Sequence, residues 1–127
     1  MDIGRRTATR VDMEEEPMPH YLFQVAYSGS AVKGLVDNPQ PREEIIRALF
    51  ESVGGRMLHF YFCFGEYDQI SLAELPNNEA AVAAVMQGRA AGVIAKAQTT
   101  VLLTSEEAVR GMQQAGKAQY RPPSASS

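Results

Sequence analysis

Hydrophobic residues concentrate in four short segments that predict β-strands. Residues 21–27, 57–64, 70–75 and 93–103 are rich in aromatic and β-branched side chains, which favour extended structure. The second and third segments are separated only by Gly65-Glu66-Tyr67-Asp68, which is a tight-turn sequence. We therefore expect those two strands to form a hairpin.

Helical spacing predicts a first helix between strands one and two. It starts near Pro41 and ends at Gly54-Gly55, where glycine permits a left-handed cap. Its apolar stripe consists of Ile45, Ile46, Leu49, Phe50 and Val53. A short helical turn is also expected at residues 31–36, directly after the first strand.

Two further helices are predicted towards the end of the chain. The first is alanine-rich and begins at an asparagine cap, either Asn77 or Asn78. Its predicted core stripe is Val82, Val85 and Met86, with small alanines that allow a close approach to the sheet. The last helix follows the capping-box sequence at residues 104–107 and ends near residue 115.

The resulting order is β-α-β-β-α-β with an extra C-terminal helix, the pattern of an α+β ferredoxin-like domain. Its four-stranded antiparallel sheet would be covered by both helices on one face and bare on the other. Strand two would carry two columns of alternating side chains. One column is Leu58, Phe60, Phe62 and Phe64, and the other is Met57, His59, Tyr61 and Cys63.

Neither column of strand two is polar, although a water-facing column should be. We therefore expect the bare face to be covered by a second copy of the chain, giving a homodimer or a higher homo-oligomer. The 127 residues suit one domain at residues 19–118. Residues 1–18 and 119–127 are predicted to be disordered tails, and Met18 is an alternative start.

Charge and composition narrow the possible partners. The net charge is −3 and no cluster of Lys and Arg occurs, so nucleic acid is an improbable partner. No apolar run has the length of about 20 residues that spans a membrane. The single cysteine, Cys63, excludes an intramolecular disulfide. A cytoplasmic location is the expectation.

Several of these segments resemble the GYD domain family. The resemblance is carried by Gly65-Glu66-Tyr67-Asp68, the aromatic strand before it, the alanine-rich helix and the Leu-Thr-x-Glu-Glu element at residues 103–107. It implies the dimeric α/β-barrel class, in which two sheets pack face to face, and it implies no established activity. His59 and Cys63 depart from the small polar residues usual in the family.

Candidate ligand-binding residues are Tyr67 and Asp68 in the turn, and His59, Tyr61 and Cys63 on strand two. For both groups a structural role is the favoured interpretation, as turn formation or interface packing. Only His20 and His59 are available as histidine ligands, so neither a metal nor another cofactor is predicted.

Four cations are further candidates for binding an anionic ligand. Arg42, Arg47, Arg56 and Lys96 lie on different elements, and solvated surface charge is the favoured interpretation. The leading functional hypothesis is binding or sensing of a small molecule in a cavity beside the sheet. The alternatives are a structural or assembly role without ligand, and a cofactor-independent monooxygenase-like or isomerase-like enzyme with His59 as acid or base.

Overall fold

The computed structural model describes residues 18–124, which form four strands and four helices. The strands are β1 (His20–Tyr27), β2 (Arg56–Phe62), β3 (Gln69–Glu74) and β4 (Ile94–Leu102). The helices are α1 (Gly29–Asp37), α2 (Glu43–Ser52), α3 (Asn78–Ala90) and α4 (Ser105–Ala115). The predicted short turn at residues 31–36 is thus part of a nine-residue helix, capped by Ser28.

All four strands belong to one antiparallel sheet with the order β2-β3-β1-β4. This order and the succession of helices confirm the predicted α+β ferredoxin-like fold. The register pairs Leu22 of β1 with Leu72 of β3 on one side and with Thr100 of β4 on the other. These side chains lie on the face of the sheet that the helices do not cover, which we call the open face.

The core lies between the other face and helices α2 and α3. Tyr21, Phe23 and Val25 alternate along β1 and are buried, as the period of a strand requires. The rings of Phe23 and Phe50 pack with centroids 5.0 Å apart, which ties α2 to the sheet. The hydroxyl of Tyr21 donates to the Asn78 side chain at 2.7 Å, so even this buried phenol has a partner.

The predicted core stripe of α3 is wrong for two of its three residues. Val82 and Met86 are 54 % and 61 % exposed, whereas Ala80, Ala81 and Ala84 are buried. The helix packs through its alanines because small side chains let its backbone come close to the sheet. Val85, the third predicted residue, is partly buried against the core.

The predicted columns of β2 also need correction, because the strand has a bulge. The register shifts between Met57 and His59, so Met57 is buried on the helix side with Phe60. His59 and Tyr61 pair with Leu72 and Ile70, whose side chains lie on the open face. Cys63 and Phe64 lie beyond the end of β2, and the Phe64 side chain is fully exposed.

Both predicted helix caps are confirmed. The Asn77 side chain accepts from the Ala80 amide at 2.9 Å, and Thr104 and Glu107 form the capping box of α4. Most of the predicted N-terminal tail and residues 125–127 lie outside the described residues; residues 119–124 are exposed without regular structure. Within residues 18–124, no helix combines the length and apolar character needed to cross a membrane.

Candidate functional site

The Gly65–Asp68 turn is held by two hydrogen bonds between Asp68 and β1. Gly65 has φ +117°, a conformation that disfavours any residue with a Cβ. The Asp68 carboxylate accepts from the backbone amide of Tyr27 at 2.9 Å, and the Asp68 amide donates to Val25 O at 2.8 Å. Asp68 therefore anchors the turn to β1, rather than capping the turn itself, and its contacts are structural.

Tyr67 extends from the same turn towards β4. Its hydroxyl donates to Gln98 Oε1 at 3.0 Å, and the Lys96 ammonium lies 5.1 Å from its ring centroid. Lys96 also forms a 2.6 Å ion pair with Glu66, which raises the pKa of Lys96. Tyr67 and Asp68 thus contact different strands and do not form one binding site.

His59 and Tyr61 share a shallow open-face hollow of about 280 Å³, whose other lining residues include Leu22, Ile70 and Leu72. Cys63 is directed elsewhere, because its Sγ lies 3.2 Å from the carbonyl oxygen of Tyr67. The five candidate residues from the sequence are therefore divided between this hollow and the turn. Within residues 18–124, no three His, Cys, Asp or Glu side chains group to hold a metal ion.

A second cavity lies on the helix side of the sheet, between α2 and α3. This helix-side cavity has a volume of about 230 Å³. Its apolar lining includes Phe23 and Val25 of β1, Ile46, Leu49 and Phe50 of α2, and Ala84 and Val85 of α3. Aliphatic and aromatic walls of this kind are typical of sites for small organic molecules.

Two polar side chains in the cavity wall satisfy each other. The hydroxyl of Tyr27 donates to Oε1 of Gln69, which is buried. Burial raises the pKa of Tyr27 to about 12, and the nearby Arg42 guanidinium opposes that effect. Tyr27 is therefore a neutral hydrogen-bonding group near neutral pH, not a base.

Ser71 differs from that pair because its hydroxyl is unsatisfied. The residue is 1 % exposed and lines the helix-side cavity, and its Oγ has no hydrogen-bond partner in the described chain. Leaving a buried hydroxyl unpaired costs about 1–3 kcal/mol. Because Oγ is itself covered, the Ser71 side chain would have to rotate towards the cavity before a bound molecule could satisfy it.

Arg42 lies at the start of α2, where this cavity meets a smaller one. The smaller cavity of about 180 Å³ lies beside α1 and shares Tyr27, Arg42 and Val93 with the helix-side cavity. Arg42 is half-buried and forms no ion pair with any residue from 18 to 124. Arg47, Arg56 and Lys96, the other three cations considered, are each paired with a glutamate.

The sequence predicted several apolar side chains of this cavity as core positions of α2 and α3, but not the roles of its polar ones. Ser71 received no role within the predicted strand at residues 70–75, and Arg42 was one of four scattered cations. The one available signal was a serine at a core position of β3, between Gln69 and Ala73, where a hydrophobic residue is expected.

The structure therefore defines a ferredoxin-like α+β domain with an apolar cavity between its helices and its sheet. The model of the GYD domain matches residues 21–112, which is most of the chain, so the chain belongs to the GYD domain family, as its sequence suggested. The crystal structure of MtbAldR aligns with a TM-score of 0.47 and 17 % identity, over 80 % of this chain and 70 % of that chain. No curated protein matches the chain in sequence.

Proposed function

We propose that this protein binds a small, largely apolar molecule in the helix-side cavity and acts as a binding or sensing protein. The observation that carries the proposal is the buried Ser71 hydroxyl, which has no hydrogen-bond partner among residues 18–124 and belongs to a residue that lines a mainly apolar cavity. Apolar walls with a few fixed polar groups are the usual composition of ligand sites.

Small residues keep the cavity open. Ala84 and Gly88 of α3 and Ser71 of β3 line it, where larger side chains would fill it. A Cβ at Gly88 would lie 2.5 Å from Cδ1 of Ile94, another lining residue, so α3 already approaches β4 closely at this point.

The cavity volume limits the size of the ligand. At about 230 Å³ it is smaller than the sites of roughly 300–1,000 Å³ that hold drug-sized molecules. The ligand is accordingly a small metabolite with a compact apolar body.

Self-association through the open face is the second part of the proposal, and it stands even if no ligand binds. Tyr61 is 64 % exposed beside the partly exposed Leu22, Ile70 and Leu72. The charged side chain of Lys96 on the same face is neutralised by Glu66. An apolar surface with paired charges can pack against its own copy without repulsion between like charges.

Cavity filling tests the binding proposal. Ala84→Leu places a larger side chain in the helix-side cavity, and Leu72→Ala is the matched control in the open-face hollow. A library of small apolar metabolites is screened by thermal shift, and the affinities of hits are measured by calorimetry. We expect Ala84→Leu to weaken binding at least tenfold and Leu72→Ala to leave it unchanged.

The opposite pattern would contradict the proposal. Binding that survives Ala84→Leu but is lost in Leu72→Ala would place the ligand in the open-face hollow. Circular dichroism checks that each variant is folded. Val85→Phe, at a partly buried lining residue, replaces Ala84→Leu if that variant does not fold.

A further inference from the structure

We propose that the ligand of the helix-side cavity is a small apolar monocarboxylate whose carboxylate binds Arg42 while its apolar body occupies the cavity. This inference rests on the proposed function and specifies the class of ligand. It assigns to Arg42 a binding role, in contrast to Arg47, Arg56 and Lys96, which are each paired with a glutamate.

The position of Arg42 places a positive charge at one end of an apolar space. Its side chain lines both the helix-side cavity and the smaller cavity beside α1. Tyr27 lines the same two cavities as Arg42. A ligand that fills the apolar space would therefore meet a cation and a phenol at its end.

The surrounding charges leave Arg42 available for an anion. The nearest acidic residues along the chain, Glu43 and Glu44, are engaged by Arg47 at 2.9 and 3.5 Å. Asp68 accepts from the backbone amide of Tyr27 and is not paired with Arg42. A half-buried guanidinium that has no ion-pair partner among residues 18–124 is well suited to a carboxylate, which matches its planar pair of donors.

The start of α2 adds a smaller contribution. Arg42 is the N-cap residue, and its side chain does not cap the helix. The partial positive charge of a helix N-terminus favours a nearby anion by about 0.3–1 kcal/mol. One arginine suits one negative charge, because a dianion such as phosphate would leave excess charge unneutralised in a partly buried place.

Ser71 is a second observation at this cavity. Its Oγ is buried and lacks a partner in the described chain, and the residue lines the helix-side cavity as well as the open-face hollow. The rest of the lining from α2 and α3 is mainly apolar, so the body of the carboxylate must itself be mainly apolar.

Matched pairs of probes test the inference. Hexanoate, octanoate and 3-phenylpropanoate are each compared with the corresponding neutral primary amide by calorimetry, at low and high salt. We expect the carboxylates to bind at least tenfold more tightly than the amides, with a difference that narrows as salt increases. Arg42→Gln should weaken carboxylate binding at least tenfold and leave amide binding unchanged.

Arg47→Gln is the control, because it removes a nearby arginine that is already paired with Glu43 and Glu44. It should keep the preference for the carboxylate. If Arg42→Gln does not fold, Arg42→Lys replaces it, because lysine keeps the positive charge without the two parallel donors of a guanidinium. We expect the affinity of Arg42→Lys for the carboxylates to lie between that of the wild-type protein and that expected for Arg42→Gln.

The outcomes separate this inference from the proposed function. Equal binding of amide and carboxylate to the wild-type protein, lost in Ala84→Leu, would overturn the carboxylate inference and leave the binding function standing. If Arg42→Gln and Arg47→Gln lose the preference for carboxylate over amide to the same extent, the proposed role of Arg42 would also be overturned. Failure of every charged and neutral probe would contradict both proposals.

Discussion

Buried and half-buried polar side chains differ in how completely they are paired. Asp68 and Gln69 each have a hydrogen-bond partner on β1. Glu74 has two partners, because Nε2 of His20 lies 3.1 Å and an Nη atom of Arg56 lies 3.2 Å from its carboxylate. Ser71 on the same strand has none within the described residues. Paired groups stabilise the fold, whereas the Ser71 hydroxyl supports the proposal of a ligand in the helix-side cavity.

Glu74 gives a pH-dependent prediction. Burial alone would raise its pKa, but the hydrogen bonds from Arg56 and His20 outweigh burial and lower the pKa below 4.5. A lowered pKa means that the ionised form stabilises the folded state above pH 4.5, and that this stabilisation is lost as the pH falls through the folded-state pKa.

We therefore expect Glu74→Gln to lower the free energy of unfolding at neutral pH by about 1 kcal/mol or less. The difference from the wild-type protein should shrink as the pH falls below 4.5. Urea unfolding of both proteins at a series of pH values measures this difference in the free energy of unfolding. A difference that grows on acidification would contradict this account of Glu74.

Single-residue features were predictable where they depend on local chain geometry. The caps at Asn77 and Thr104 depend on a few adjacent residues, and so does the positive φ of Gly65. The roles of Ser71 and Arg42 depend on what surrounds them in three dimensions. The sequence alone could not distinguish them from an ordinary strand serine and a surface arginine.

At the level of elements, the connection from α2 to β2 is the tightest point of the backbone. Gly54 has φ +90°, which few residues with a Cβ adopt. A Cβ on Gly55 would collide with the carbonyl oxygen of Glu74 and with Cδ2 of Leu75. This loop therefore needs two glycines for two different reasons.

Gly55→Ala should destabilise the protein by about 1–3 kcal/mol, because the backbone carbonyl of Glu74 cannot move aside easily. Gly34→Ala in α1 is the control, since a Cβ there meets nothing within 4 Å. It should be stabilising by up to about 1 kcal/mol through helix propensity. Chemical unfolding measures both variants, and similar effects of the two substitutions would refute the steric explanation.

The positions of the helices and strands were largely predictable from the sequence, but which residues α3 and β2 turn towards the core was not. The order of strands and helices follows from hydrophobic segments and turn residues. The buried face of α3 does not, because alanines bury well against a sheet yet carry little hydrophobic signal. The bulge between Met57 and His59 changes which side chains of β2 share a face of the sheet, and the local sequence does not predict this bulge.

At the level of the whole molecule, the two faces of the sheet have different proposed partners. The helix-side face borders the cavity, whereas the open face carries Tyr61, Ile70 and Leu72. The sequence predicted a bare apolar face because the topology leaves one face uncovered. It could not locate the cavity, whose size depends on the gap between α2 and α3.

The proposed homodimer is tested by sedimentation velocity at micromolar concentration. We expect a dimer for the wild-type protein and a monomer for Leu72→Glu, because a charge on the open face must be desolvated at the interface. Val82→Glu, at an exposed position of α3, should remain dimeric. A wild-type protein that sediments as a monomer would rule out this interface.

Binding in the helix-side cavity is tested most directly by methyl-resolved NMR during titration with octanoate. The account predicts chemical-shift changes at the methyl groups of Ile46, Val85 and Ile94, which line the cavity, and none at Ile70 and Leu72 on the open face. Shifts confined to Ile70 and Leu72, or no shifts at saturating octanoate, would contradict it.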